Sequence, residues 1–119
     1  MKKSFSRLDR VNSLLYREIS GLIAKDFGRD GDQGRDVLIN LSKVETSKDL
    51  GESRIFFTVL PEAEERKIQV ALNRKASEWQ RVIGERLVLK RKPKLRFILD
   101  AGIKNAIKVE EILSQIRAE

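Results

Sequence analysis

The 119-residue sequence contains no cysteine and no histidine. Disulfide bonds, zinc sites built from cysteine and histidine, cysteine nucleophiles and histidine-based catalytic triads are therefore excluded. General acid–base chemistry would have to rely on carboxylates or lysine, because histidine is the side chain that most enzymes use for it. These absences favour a protein that binds a partner over one that catalyses a reaction, and we expect no catalytic residues and no metal site.

Long hydrophobic runs are also missing. No apolar stretch approaches the roughly 18 residues that a membrane-spanning helix needs. The charged segment at residues 1–7 is not followed by the apolar run of a signal peptide. We therefore expect a cytoplasmic protein with no membrane partner. The length predicts one domain, and the hydrophobic fraction of 40% is sufficient for a modest core.

Positive charge is what the sequence has in excess. Lys and Arg number 25 against 18 Asp and Glu, which gives a net charge of +7. Residues 81–96 carry seven basic residues and one acidic residue, so this segment alone has a net charge of +6. Such a concentration favours contact with the phosphate backbone of a nucleic acid. Aromatic residues make up only 6% of the chain, so recognition of bases by stacking is not indicated.

Hydrophobic periodicity and turn residues predict an α+β fold. The strands that follow the first helix are joined by a short connection, so we expect them to pair antiparallel, with a β-bulge near Ser42-Lys43 where the apolar phase changes. We expect one domain over residues 1–119, with its core at about 5–101. In chain order, the predicted elements are a helix at 6–27, strands at 37–46 and 53–60, helices at 62–75 and 77–89, a strand at 95–100 and a helical tail at about 102–119.

Capping signals set two of these helix boundaries. Ser6 and Asp9 have the spacing of a capping box at the start of the first helix. Ser77 and Gln80 have the same spacing inside the long apolar pattern that follows Pro61, so we expect that helix to be interrupted at Ser77. Two literal GxxG matches lie in the polar segment 28–36, which precedes a strand and is interpreted as a connector.

The order helix–strand–strand–helix–kink–helix–strand resembles a type II KH-like domain, which normally grips nucleic acid through a GxxG loop. Here the joint is Lys75-Ala76-Ser77-Glu78, without GxxG. Further resemblance is carried by Arg10-Val11, Arg17-Glu18-Ile19, the segment from Val44 to Leu50, the segment from Ala71 to Ser77, the segment from Leu87 to Phe97, Asp100 and Glu110-Glu111-Ile112-Leu113. These stretches, spread over residues 5–116, resemble the bacterial ribosome-binding factor A family, in which a kink replaces GxxG. Glu78 departs from the family, which usually has Gly there.

The resemblance implies a non-catalytic ribosome assembly factor. Such a protein binds the free small (30S) ribosomal subunit, assists late maturation of 16S rRNA including its 5′ region, and supports growth in the cold. We expect no cofactor and a monomer off the ribosome. From the charge pattern and the expected kink, the residues predicted to bind RNA are Arg7, Arg10, Lys75, Ser77, Arg81, Arg86, Lys90, Arg91, Lys92, Lys94 and Arg96.

Three alternatives remain beside this interpretation. The first is a permanent protein of the small ribosomal subunit, and the second is a general RNA-binding protein of the KH type. The third is a small hydrolase that uses carboxylates such as Asp49 and Glu52. The third is disfavoured because both residues fall in a predicted turn without an obvious partner base.

Overall fold

The computed structural model describes residues 6–27, 37–89 and 91–100. Over these ranges the chain forms, in order, α1 (Arg7–Phe27), β1 (Leu38–Thr46), β2 (Glu52–Leu60), a 3₁₀ turn (Glu62–Glu64), α2 (Glu65–Leu87) and β3 (Lys94–Leu99). This order confirms the predicted α+β, KH-like fold. The connector at 28–36, Lys90 and the predicted helical tail at about 102–119 lie outside the described residues.

The start of α1 is fixed by the predicted capping box. The Ser6 amide donates to Asp9 Oδ2 and the Asp9 amide donates to Ser6 Oγ, each at 3.1 Å. Two of the free N–H groups at this end of the helix are thereby satisfied. The apolar stripe of α1 is buried from Val11 to Phe27, so α1 presents one face to the sheet and the other to solvent.

The three described strands form one sheet in the order β1-β2-β3. β1 and β2 pair antiparallel, and their register shifts between Leu41 and Lys43, which confirms the predicted bulge. β2 and β3 pair parallel, because α2 carries the chain back across the sheet between them. One face of the sheet packs on the helices, and on β2 this face is formed by Ser53, Ile55, Phe57 and Val59, all buried.

Aromatic rings join the helices to this face of the sheet. The Trp79 ring meets Phe27 edge-on at 6.1 Å between centroids and Phe97 at 5.8 Å. Phe97 in turn meets Phe57 at 6.4 Å. The Trp79 indole N–H donates to Asp26 Oδ2 at 3.2 Å, so its one polar group is satisfied in the core.

The expected interruption at Ser77 is wrong. α2 runs without a break from Glu65 to Leu87. The reason lies in its buried face, where Leu72, Trp79 and Ile83 continue a single helical stripe with no change of phase at Ser77. Capping-box spacing alone does not start a new helix when the apolar stripe runs on through it.

Candidate nucleic-acid interface

The basic residues of β3 project from one side of a strand whose other side is in the core. Leu95 and Phe97 are buried, while Lys94 and Arg96 are exposed. This is the period-two alternation of a half-buried strand. It separates the charged side chains from the core residues and leaves two cations at the sheet edge next to α2.

A shallow pocket lies between α2 and β3. Its volume is about 190 Å³, and it is lined by Glu52, Ala76, Ser77, Gln80, Lys94, Leu95 and Arg96. The structure therefore brings together three of the residues predicted to bind RNA, namely Ser77, Lys94 and Arg96. Because α2 is unbroken at Ser77, neither helix of the described residues begins at this pocket, and α2 offers an anion there its side chains rather than free backbone amides.

Four other predicted cations are already paired with carboxylates. Lys75 lies 3.8 Å from Glu78 and Arg81 lies 3.8 Å from Glu85, both along α2. The two remaining pairs join different elements: Arg86 Nη1 lies 3.1 Å from Glu18 Oε1, and Arg91 Nη1 lies 3.6 Å from Asp49 Oδ2. Exposed pairs of this kind add little to stability, but each carboxylate offsets the charge of its partner cation.

Lys92, Lys94 and Arg96 have no carboxylate within salt-bridge distance in the part of the chain that the structure describes. We call these three residues the unpaired cluster. Their charges are the ones that a phosphate would meet without displacing an internal partner. Of the six basic residues within 81–96 that the structure describes, three are therefore paired with carboxylates and three form the unpaired cluster.

The connection between α2 and β3 is held in place from two sides. Gln80 Nε2 donates to the Lys92 carbonyl at 2.9 Å. The stem of Lys92 crosses so close to Gly84 that a Cβ on Gly84 would lie 2.5 Å from its Cγ and Cδ. On the other side, Arg91 contacts both the carboxylate and, at 3.4 Å, the carbonyl of Asp49. The basic connection is therefore anchored to α2 and to the β1–β2 turn.

Asp49 organises the turn that receives Arg91. Its Oδ1 accepts hydrogen bonds from Ser47 Oγ at 2.7 Å and from the Gly51 amide at 2.9 Å. These bonds, with the nearby Arg91 guanidinium, lower the pKa of the Asp49 carboxyl below its ordinary value. The carboxylate thus closes a turn, which accounts for Asp49 without the hydrolytic role considered from the sequence.

Arg7 and Arg10 lie in the first turn of α1. α1 contacts α2 through Glu18, which pairs with Arg86, and through Asp26 near the other end of α1. Arg10 precedes Glu18 by about two helical turns, and neither Arg7 nor Arg10 lines the pocket. Because Glu18 contacts Arg86 and Asp26 contacts Trp79, α1 runs antiparallel to α2, and the end of α1 that carries Arg7 and Arg10 extends towards the C-terminal end of α2.

Sequence reasoning missed the role of Asn73 as a support of this site. Asn73 Oδ1 accepts from the Phe97 amide at 3.0 Å, and Asn73 Nδ2 donates to the Phe97 carbonyl at 3.3 Å. These bonds fix β3, and with it Lys94 and Arg96, against α2. The only signal in the sequence is that a polar residue lies between apolar positions of the helix, which does not reveal its partner.

Two further observations concern the described residues. No three acidic side chains among them lie close enough together to hold a metal ion. Neither described helix is long and apolar enough to cross a membrane.

The fold and the charged surface define the class: a small α+β domain of KH-like element order, with basic residues on the edge formed by α2 and β3. The family model for ribosome-binding factor A matches residues 7–113. The chain therefore belongs to the ribosome-binding factor A family.

Individual relatives agree along most of their length. The chain is 30% identical to ribosome-binding factor A of Alteromonas mediterranea, with 100% of this chain and 90% of the relative covered. It is 29% identical to ribosome-binding factor A of Opitutus terrae, with 93% and 88% covered. The crystal structure of ribosome-binding factor A from Thermus thermophilus matches with a TM-score of 0.56 and 21% identity, over 82% of this chain and 97% of that one, which supports the fold.

Proposed function

We propose that this protein is a non-catalytic assembly factor that binds the free small (30S) ribosomal subunit. Its ligand there is the backbone of 16S rRNA, and it assists late maturation of that RNA, including the 5′ region, with a role in growth in the cold. It acts in the cytoplasm as a monomer when off the ribosome. The names of its relatives, which are ribosome-binding factors, support the ribosomal partner.

One observation carries the RNA contact: Lys92, Lys94 and Arg96 lie without carboxylate partners on a fixed edge of the described fold. Cations that meet phosphates release condensed counterions, so binding depends steeply on salt. The anchored connection fixes the backbone that carries the cluster before binding. Less conformational entropy is therefore lost when the complex forms.

A rigid basic surface suffices for the proposed activity. A protein that binds one arrangement of rRNA more tightly than another shifts the populations of the two, by as much as the difference in its affinities. No nucleotide is needed for this, and the sequence has no glycine-rich loop that ends in Gly-Lys-Ser or Gly-Lys-Thr.

The test is the salt dependence of binding to purified 30S subunits. In K94Q/R96Q, two cations of the unpaired cluster become neutral without placing new carboxylates beside Glu52. We expect affinity at low salt to fall on the order of tenfold or more, and the slope of log K against log [salt] to flatten by about two, roughly one for each lost phosphate contact.

The matched control is R66Q/K67Q. Arg66 and Lys67 are exposed at the other end of α2, and their substitution changes the net charge by the same amount. We expect this variant to keep the salt slope of the unmodified protein. Equal effects of the two variants would mean that net charge alone drives binding, and an unchanged slope in K94Q/R96Q would overturn the proposed interface.

A further inference from the structure

Val88, the residue after the end of α2, has an unusual backbone conformation and an unusual exposure. Its φ and ψ are 49° and 52°, in the left-handed region. Its side chain is 86% exposed, more than that of any other large apolar residue in the described ranges, where Leu38 follows at 61%. A helix commonly ends in this conformation, but glycine is the residue that usually adopts it.

The backbone conformation of Val88 opposes folding, and its exposed side chain contributes nothing to folding. A β-branched residue at positive φ is a genuine outlier, because its Cβ substituents crowd the backbone. An isopropyl group in water also gains nothing from burial. Glycine would remove the steric strain of the left-handed backbone, and a polar side chain would be better hydrated. The stability of the fold therefore does not require valine at this position.

The neighbouring residues hold Val88 in this conformation. Leu87 and Leu89, on either side of it, both pack against the core. With its two neighbours turned inward, Val88 is turned outward. The connection that follows is anchored through Lys92 and Arg91. A strained conformation persists where the surrounding structure over-determines it, and such positions cluster at functional sites.

The surroundings of Val88 indicate what it contacts. Along the chain it lies between Arg86 and Arg91, which are paired with Glu18 and Asp49, and four residues before Lys92 of the unpaired cluster. The centre of a protein interface is depleted in charged residues, whereas the segment 87–89 is followed by the cations Arg91 and Lys92 and preceded by Arg86. A polynucleotide combines anionic linkages with apolar ribose and base surfaces, which is the complement of this arrangement.

We propose that Val88 is an RNA-contact residue, whose isopropyl group packs on the ribose or base surface of a nucleotide while the unpaired cluster holds neighbouring phosphates. This inference rests on the proposed function, because it assumes that the unpaired cluster contacts rRNA. It adds an uncharged contact that neither the charge pattern nor the family resemblance assigns.

The test compares V88G with the unmodified protein, using purified 30S subunits and thermal unfolding. Because glycine relieves the left-handed backbone, we expect the melting temperature to rise by about 4 °C or more. Because the isopropyl contact is lost, we expect affinity to fall by roughly threefold to tenfold. The salt slope stays unchanged, since no charge is removed.

Three other variants sharpen the comparison. V88I keeps a β-branched apolar side chain and should retain affinity. V88N tolerates the left-handed conformation but is polar, and should lose affinity as V88G does. V70A removes apolar surface from an exposed position on α2 and should bind as the unmodified protein does. Unchanged affinity in both V88G and V88N would overturn the inference, whereas an unchanged salt slope in K94Q/R96Q would overturn the proposed function instead.

Crosslinking identifies the partner directly. The chain has no native cysteine, so V88C can carry a single benzophenone group, with V70C as the matched control. On 30S subunits we expect V88C to form adducts with 16S rRNA in much greater yield than V70C. Adducts predominantly with a ribosomal protein would overturn the assignment of RNA as the partner of Val88.

Discussion

At the scale of single residues, one side chain on α2 closes part of the outer edge of β3. Asn73 forms two hydrogen bonds with the backbone of Phe97, one through each atom of its amide, and Gln69 Nε2 donates to the same carbonyl at 3.4 Å. Unpaired strand edges are templates for pairing with other chains. Asn73 therefore satisfies half-buried backbone groups and also occupies a position where another strand could add.

We predict that N73A lowers the free energy of unfolding by about 1–3 kcal/mol, because it removes the side-chain acceptor of the Phe97 amide and one of the two side-chain donors to the Phe97 carbonyl. Urea unfolding measures the change. R74A is the matched control, since Arg74 is an exposed neighbour on the same helix, and its effect should stay within about 0.5 kcal/mol. Equal effects of the two substitutions would contradict the structural role of Asn73.

At the scale of secondary-structure elements, α2 shows which sequence signals determine a fold. The capping-box spacing at Ser77 is a local signal, and it conflicts with the apolar stripe that continues through Trp79 and Ile83. The stripe prevails, because an amphipathic helix owes most of its stability to tertiary packing. Glu78 favours a continuous helix, since glutamate is a better helix former than glycine. Its carboxylate also lies 3.8 Å from the Lys75 ammonium, one turn earlier in α2.

We predict that E78G and E78A separate the effect of charge from the effect of helix continuity. E78G should lower the free energy of unfolding by roughly 0.5–1 kcal/mol, while E78A should be close to neutral in the helix. Both remove a carboxylate next to Ser77 of the pocket, so both should tighten 30S binding at low salt, by about threefold at most. Binding assays and urea unfolding measure the two quantities.

The two variants have distinct contrary outcomes. Tighter binding in E78G but not in E78A would mean that a break in α2, rather than loss of the carboxylate, improves the contact. A large loss of affinity in both would mean that Glu78 itself contacts the partner.

Most elements could be predicted because their signals are local. The start of α1 follows from Ser6 and Asp9, and the bulge follows from the change of apolar phase near Ser42. Asn73 and Val88 could not be predicted. The role of Asn73 depends on a strand residue 24 positions away, and the conformation of Val88 depends on how its two neighbours pack.

At the scale of the whole molecule, the net charge of +7 indicates a binding surface only when the ion pairs within the protein are known. The sequence locates the excess in residues 81–96, but it does not show that Arg81, Arg86 and Arg91 lie beside Glu85, Glu18 and Asp49. Two of those carboxylates lie far away in the sequence. The segment that carries the excess charge could thus be predicted, whereas the members of the unpaired cluster could be identified only from the tertiary structure.

We predict that the protein sediments with free 30S subunits in sucrose gradients at low salt and remains at the top of the gradient at high salt. The reason is that phosphate contacts weaken steeply as salt rises. R66Q/K67Q should behave as the unmodified protein does, and K94Q/R96Q should be released at lower salt. Comigration with translating ribosomes at both salt concentrations would instead support a permanent ribosomal protein.

The single tryptophan gives the fold a built-in optical probe. Trp79 is 2% exposed, and its ring touches Phe27 of α1 and Phe97 of β3 while its own backbone belongs to α2. Its fluorescence therefore reports whether three elements are docked together, and not the state of one element alone. If a substitution in the unpaired cluster leaves this emission unchanged, the core is intact. Any loss of binding in that variant can then be assigned to the substituted side chain.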